Sequence, residues 1–87
     1  LLNAKYKPPI IISEKNNIIL FPTISPYSNK CIWINYKKIN NIKISNNKLI
    51  IFFNNNKKLV INSSIYIIKN QISKSINLEL ILRSKLL

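Results

Sequence analysis

The sequence predicts an α+β fold. A small antiparallel β-sheet, built from hairpins and a three-stranded meander, is followed by a C-terminal amphipathic helix. Three observations predict this order. Short apolar runs rich in β-branched residues recur roughly every eight to twelve residues, which is typical of antiparallel strands. Groups of asparagine separate the runs. After Ser64 the apolar residues change to spacings of three and four, which indicate a helix.

The first two strands are predicted to form a hairpin bounded by proline. Pro8 and Pro9 fix φ and lack an amide hydrogen, so they suit the start of an edge strand but not the middle of a sheet. Residues 10–13 and 18–22 are the two apolar runs, with Asn16 and Asn17 between them. A third strand is predicted at residues 31–35.

The meander is predicted over residues 38–45, 48–53 and 58–62. The chain contains no glycine, so its tight turns need another residue that tolerates positive φ. Asparagine tolerates that conformation better than other residues with a side chain. Asn46 and Asn47 are therefore predicted to form a two-residue hairpin loop, and residues 54–57 a second turn.

The helix is predicted to begin after Ser63 or Ser64, since serine is a preferred N-cap residue. It extends to about residue 82, either unbroken or with a break near Asn77. Its apolar stripe is expected to pack on the sheet through Ile65, Ile68, Ile72 and Ile76. The 87 residues are thus expected to form a single small domain, β-rich over 8–62 and helical over 64–85.

Charge indicates a polyanionic partner. Fourteen Lys and Arg residues face only two acidic residues, Glu14 and Glu79, giving a formal charge of +12. Nucleic acid is the first candidate and an anionic membrane surface the second. A membrane-spanning helix needs about 20 mainly apolar residues, and no run here is that long. No secretion signal is visible, and the single Cys31 has no intrachain partner, so a cytoplasmic location is expected.

An enzyme is not expected. The chain has no His, Asp or Gly, and no motif brings its two glutamates together. A catalytic acid–base pair, a metal site and a glycine-rich phosphate loop therefore lack their usual residues. No catalytic residue, metal or cofactor is predicted.

Lysines along the meander are predicted to bind DNA. Lysine contacts phosphates without reading sequence. The predicted face consists of Lys37, Lys38, Lys43, Lys57 and Lys58, with Lys7 as an additional contact. Lys69 and Lys74 lie on the predicted helix and are expected only to be solvated. Among the aromatic residues, Trp33, Phe52 and Phe53 could stack on unpaired bases, but a core role is favoured, with Trp33 largely buried.

The order of short motifs is informative. The chain contains "KPPI", then "FPT", then "IWIN", and later "SSIYIIKNQI". This order resembles the ComK family of competence transcription factors and covers nearly the whole chain. The motif residues, expected to be structural, are Lys7, Pro8, Pro9, Ile10, Phe21, Pro22, Thr23, Trp33 and Ile34.

The resemblance implies a cytoplasmic DNA-binding activator that binds AT-rich promoter DNA through the minor groove as a multimer. It also implies contacts with RNA polymerase and with an adaptor that delivers the protein to a protease. Family members are longer, so the chain is expected to be the central part of such a protein. The charge is compatible with this function, because the narrow minor groove of A-tracts attracts cations.

Three alternatives stay open on the sequence. A small basic RNA-binding or ribosome-associated protein would carry a similar charge. A decayed ComK-like fragment would retain the motifs without activity. A pure interaction module would carry its charge incidentally and bind neither DNA nor RNA.

Overall fold

The computed structural model of the protein describes residues 8–24 and 29–85. It confirms the α+β class, and each predicted strand is present with small shifts at its ends. Over the described residues the elements are β1 (Ile10–Ser13), β2 (Ile18–Pro22), β3 (Trp33–Asn35), β4 (Ile39–Ser45), β5 (Lys48–Phe53), β6 (Lys58–Ile61) and α1 (Ile65–Lys85).

The strands divide into two antiparallel sheets. The first sheet has the order β1-β2-β3 and the second has the order β4-β5-β6. A 3₁₀ turn, Tyr36–Lys38, separates β3 from β4. The Asn35 side chain accepts a hydrogen bond from the Lys37 amide at 3.0 Å. This local bond competes with continued strand pairing, so the chain turns here and begins a second sheet.

Asparagine occupies the positive-φ positions, as the sequence predicts. Among the described residues, φ is 56° at Asn17, 51° at Asn46, 64° at Asn47 and 67° at Asn56. Ser45 pairs with Lys48 across the β4–β5 hairpin, so Asn46 and Asn47 alone form its loop. Positive φ at both loop residues defines the type I′ geometry that matches strand twist.

One core joins both sheets and the helix. Its buried members are Phe21, Ile34, Leu49, Ile51 and Ile68.

Thr23 of the "FPT" motif extends the pairing of β2 with the segment before β3. The Thr23 hydroxyl accepts a hydrogen bond from the Ile32 amide at 3.1 Å, and the Thr23 amide donates to the Ile32 carbonyl at 3.0 Å. The "FPT" motif therefore lies in the packed interior.

The helix is continuous, and Ser64 caps it. The Ser64 hydroxyl accepts from the Tyr66 amide at 3.1 Å. Of the predicted apolar stripe, Ile68 is buried and Ile65 and Ile72 pack against the core. The prediction is wrong for Ile76, which is 41% exposed.

The buried face of the helix is rotated toward polar residues. Its buried members are Ile68, Gln71, Ser75, Glu79 and Leu82. Gln71 Nε2 donates to the Pro22 carbonyl at 3.2 Å, and the Ser75 hydroxyl donates to the Gln71 carbonyl at 2.9 Å. Burial of polar groups is tolerated when they are hydrogen-bonded. These bonds displace Ile76 from the interface.

The predicted burial of Trp33 is also wrong, since its side chain is 37% exposed. Trp33 precedes Ile34 on β3, and successive residues of a strand face opposite sides. Ile34 takes the core position opposite Phe21, and Trp33 pairs with Pro22 on the other side. We therefore expect iodide and acrylamide to quench its fluorescence readily in the folded protein. Quenching as weak as that of a core indole would contradict this placement.

Candidate nucleic-acid interface

The second sheet presents one side to the core and the other to solvent. Strand register and two-residue alternation place Leu49, Ile51 and Phe53 on the core side. The opposite side, here called the outer face, consists of Asn41, Lys43, Ser45, Lys48, Ile50, Phe52, Lys58 and Val60. Its centre is apolar and its margin is cationic.

Two predicted lysines lie on the outer face. Lys43 Nζ is 5.7 Å from the centroid of the Phe52 ring, within the range of a cation–π contact. Lys58 pairs directly with Phe52 from the other neighbouring strand. The cations of β4 and β6 therefore flank one aromatic ring.

Lys48 also belongs to the outer face, although the binding face predicted from the sequence does not include it. It follows the Asn46-Asn47 loop and is exposed. A signal exists in the sequence, since the predicted hairpin puts Lys48, Ile50 and Phe52 on one side of β5 by alternation. Lysine doublets and proximity along the chain do not show this, because only strand register separates the two sides of a sheet.

Lys57 and Lys38 lie beside the β5–β6 turn. Lys57 lines an open groove of about 270 Å³ together with Asn40, Asn41, Lys43, Phe52, Phe53 and Asn56. Its amide is fixed by Asn55 Oδ1 at 3.0 Å. Lys38 lines a neighbouring depression with Phe53, Asn54 and Asn55. The Lys38 carbonyl accepts from the Asn54 amide at 2.9 Å, which holds the two segments together.

Lys37 has a partner within the molecule. Its Nζ lies 2.8 Å from Glu79 Oε2, and its side chain is 36% exposed. Glu79 also accepts from Asn17 Nδ2 at 2.7 Å and from Arg83 Nη2 at 2.9 Å. This cluster of Asn17, Lys37, Glu79 and Arg83, here called the Glu79 cluster, ties the helix to the first sheet.

The other lysines named from sequence lie elsewhere. Lys69 and Lys74 are exposed on α1, the helix whose buried face packs against the core through Ile68. Lys7, the first residue of the "KPPI" motif, lies outside the described residues.

The charge of the second sheet is uncompensated locally. Residues 39–61 contain four lysines and no acidic residue. Glu14 lies in the β1–β2 turn, and Glu79 is only 7% exposed and engaged by its cluster. The outer face therefore offers cations without a neighbouring carboxylate to neutralise them.

The described part of the chain contains neither a metal-binding cluster nor a helix suited to span a membrane. Residues 8–24 and 29–85 contain no grouping of three or more side chains suited to hold a metal ion. No helix within these ranges has the length and apolar character needed to cross a bilayer.

Comparison with protein families decides the relationship. The family model described as ComK protein matches residues 1–86. The chain belongs to the ComK family. No curated protein and no solved structure matches the chain significantly. ComK membership suggests a competence transcription factor, and the family is one of transcription regulators, not of enzymes.

Proposed function

We propose that this ComK-family protein is a DNA-binding transcriptional activator of competence, and that it binds AT-rich promoter DNA through the minor groove. The observation that carries the proposal is the outer face, where Lys43, Lys48 and Lys58 meet no carboxylate. The protein acts in the cytoplasm, at the nucleoid. Multimerisation, contact with RNA polymerase and delivery to a protease by an adaptor are part of the same proposal.

Phosphate binding accounts for the lysines. Duplex DNA carries one negative charge per about 1.7 Å of helix axis, and binding releases condensed counterions in proportion to the phosphates neutralised. Lys43, Lys48 and Lys58 supply such contacts from the outer face, and Lys38 and Lys57 add contacts beside the β5–β6 turn. We assign Lys37 a structural role in the Glu79 cluster, because its ammonium group is already paired with the Glu79 carboxylate. Lys7 keeps the role of an additional contact.

Lysine alone does not select a base sequence. Selection for A·T follows from groove shape and potential, since A-tracts have a narrow minor groove whose enhanced negative potential attracts cations. The minor groove also separates A·T from G·C, because only guanine places an amino group there. A cationic protein that reads this groove needs few base-specific side chains.

The proposal is tested with three short duplexes of equal length, built from A·T, G·C and inosine·cytosine pairs. Inosine lacks the N2 amino group of guanine, so inosine·cytosine resembles A·T in the minor groove and G·C in the major groove. We expect A·T and inosine·cytosine to bind with similar affinity, and G·C at least roughly fivefold more weakly. Fluorescence anisotropy at matched salt measures all three.

A double-stranded RNA of matched length is the control partner. Its minor groove is wide and shallow and displays 2′-hydroxyl groups, so weaker binding is expected. Equal affinity for all four partners would overturn the proposed selectivity. Tighter binding to RNA would favour an RNA-binding protein, and binding to none would favour an interaction module or an inactive fragment.

A further inference from the structure

The end of the β4–β5 hairpin extends beyond the core. Every residue from 43 to 48, here called the hairpin tip, is exposed. Ile44 lies on the core side of β4, opposite the fully buried Leu49, yet it is 63% exposed. Neither the helix nor the first sheet covers this end, so the hairpin tip is open to a large partner.

Dimensions favour the tip over the whole face. Neighbouring strands lie about 4.8 Å apart, so three strands span about 10 Å before side chains are added. The minor groove of B-DNA is only about 6 Å wide. The full outer face therefore cannot enter an unwidened minor groove, whereas two side chains at a hairpin end can.

The tip also carries suitable chemistry. Asn46 and Asn47 occupy its loop, and their amide groups donate hydrogen bonds. The floor of the minor groove at A·T pairs presents only the acceptors adenine N3 and thymine O2. Lys43 and Lys48 follow on the two strands, diagonally placed on the outer face and therefore about 7–8 Å apart at the backbone. At this separation, the two lysine side chains can reach the phosphates that border the groove while the loop between them faces its floor.

We infer that Asn46 and Asn47 enter the minor groove and set the preference for A·T over G·C, while Lys43 and Lys48 contact its phosphate walls. This inference rests on the proposed function and names the residues that give it selectivity. At G·C pairs the guanine amino group projects from the groove floor, so it obstructs the approach of the asparagine amides to the acceptors that A·T leaves open.

Glycine substitutions test the inference without breaking the turn. Asn46→Gly and Asn47→Gly each remove one amide, and glycine adopts positive φ at no steric cost. Both resulting loop sequences suit the hairpin. Asn56→Gly is the matched control, because Asn56 is likewise exposed and has φ of 67° but lies in the β5–β6 turn. Thermal melting confirms that all three variants fold.

We expect one or both tip variants to lower the ratio of A·T to G·C affinity about fivefold, the low end of what a base contact contributes. Affinity for G·C and its salt dependence should stay unchanged, as should every property of Asn56→Gly. Unaltered ratios in both tip variants, or an equal loss in all three, would overturn the inference and leave DNA binding itself intact. Failure of the parent protein to prefer A·T would overturn the proposed function as well.

Discussion

Glu79→Gln should destabilise the protein by about 1–2 kcal/mol, and Glu79→Ala by about 2–3 kcal/mol. These values lie below the 3–5 kcal/mol typical of breaking a fully buried pair, because the cationic partners are partly exposed. Lys37 is 36% exposed, and Arg83 is 66% exposed at its side chain. Both cations can be hydrated by solvent when the carboxylate is lost, whereas a deeply buried cation could not.

The location of the carboxylate explains why the loss is still large. Glu79 Oε2 receives hydrogen bonds from a turn of the first sheet, from the 3₁₀ turn after β3 and from the next turn of its own helix. Hydrogen bonds to a charged group each contribute about 1.5–3 kcal/mol. The Glu79 cluster thus fastens the C-terminal half of α1, where Ile76, Leu80 and Ile81 make little use of apolar burial.

Glu14→Gln is the control. It makes the same chemical change and raises the net charge by the same amount, but Glu14 is exposed in the β1–β2 turn. A surface change of this kind alters stability by less than about 0.5 kcal/mol. In thermal unfolding, 1 kcal/mol corresponds to about 4–8 °C for a domain of this size. Equal melting temperatures for the two glutamine variants would show that the Glu79 cluster does not hold the fold.

Strands and turns were predictable here because their signals are local. Short apolar runs, several of them rich in isoleucine and bounded by asparagine, mark the strands, and the absence of glycine left asparagine to occupy the positive-φ positions. The helix was predictable in extent for the same reason, from Ser64 as its cap. These features depend on residues within a few positions of one another.

The faces were harder to predict, because they depend on pairing between distant segments. An apolar stripe through Ile76 is the natural interpretation of the sequence, but Gln71 and Glu79 find partners on the first sheet and are buried instead. Trp33 is exposed because its neighbour Ile34 takes the inward position. In both cases a hydrogen-bond partner or a strand register, not hydrophobicity, decides which side chain is covered.

The candidate interface shows the same division. Lys43 and Lys58, named from local composition, lie on the outer face, and strand register places Lys48 beside them. Lys37 could not be distinguished from Lys38 by sequence, since its distinguishing feature is a contact with Glu79, far along the chain. The doublet that looks uniform therefore contains one lysine paired with Glu79 and one that lies beside the β5–β6 turn.

Replacing Lys43 and Lys58 together with Gln should weaken binding to AT-rich duplex DNA roughly 50-fold at about 0.1 M salt. The figure follows from counterion release, in which each phosphate contact changes the dependence of log K on log salt by about 0.9. If the parent chain neutralises about five phosphates, its slope is near −4 to −5, and the variant's slope should be shallower by about 1.8. Where these lysines contact only phosphate, their replacement should lower the affinity for GC-rich duplex in the same proportion as for AT-rich duplex.

Lys69→Gln with Lys74→Gln is the matched control, because both double variants remove two exposed cations and lower the net charge equally. If DNA sensed only the total charge, the two double variants would lose the same affinity at every salt concentration. If it binds the outer face, the helix variant should lose far less, and its slope should stay near that of the parent. Titrations across salt distinguish these cases, and an equal loss in the helix variant would contradict binding at the outer face. The slope is the more decisive measurement, since it reports how many phosphates each variant still neutralises and is insensitive to a modest error in active concentration.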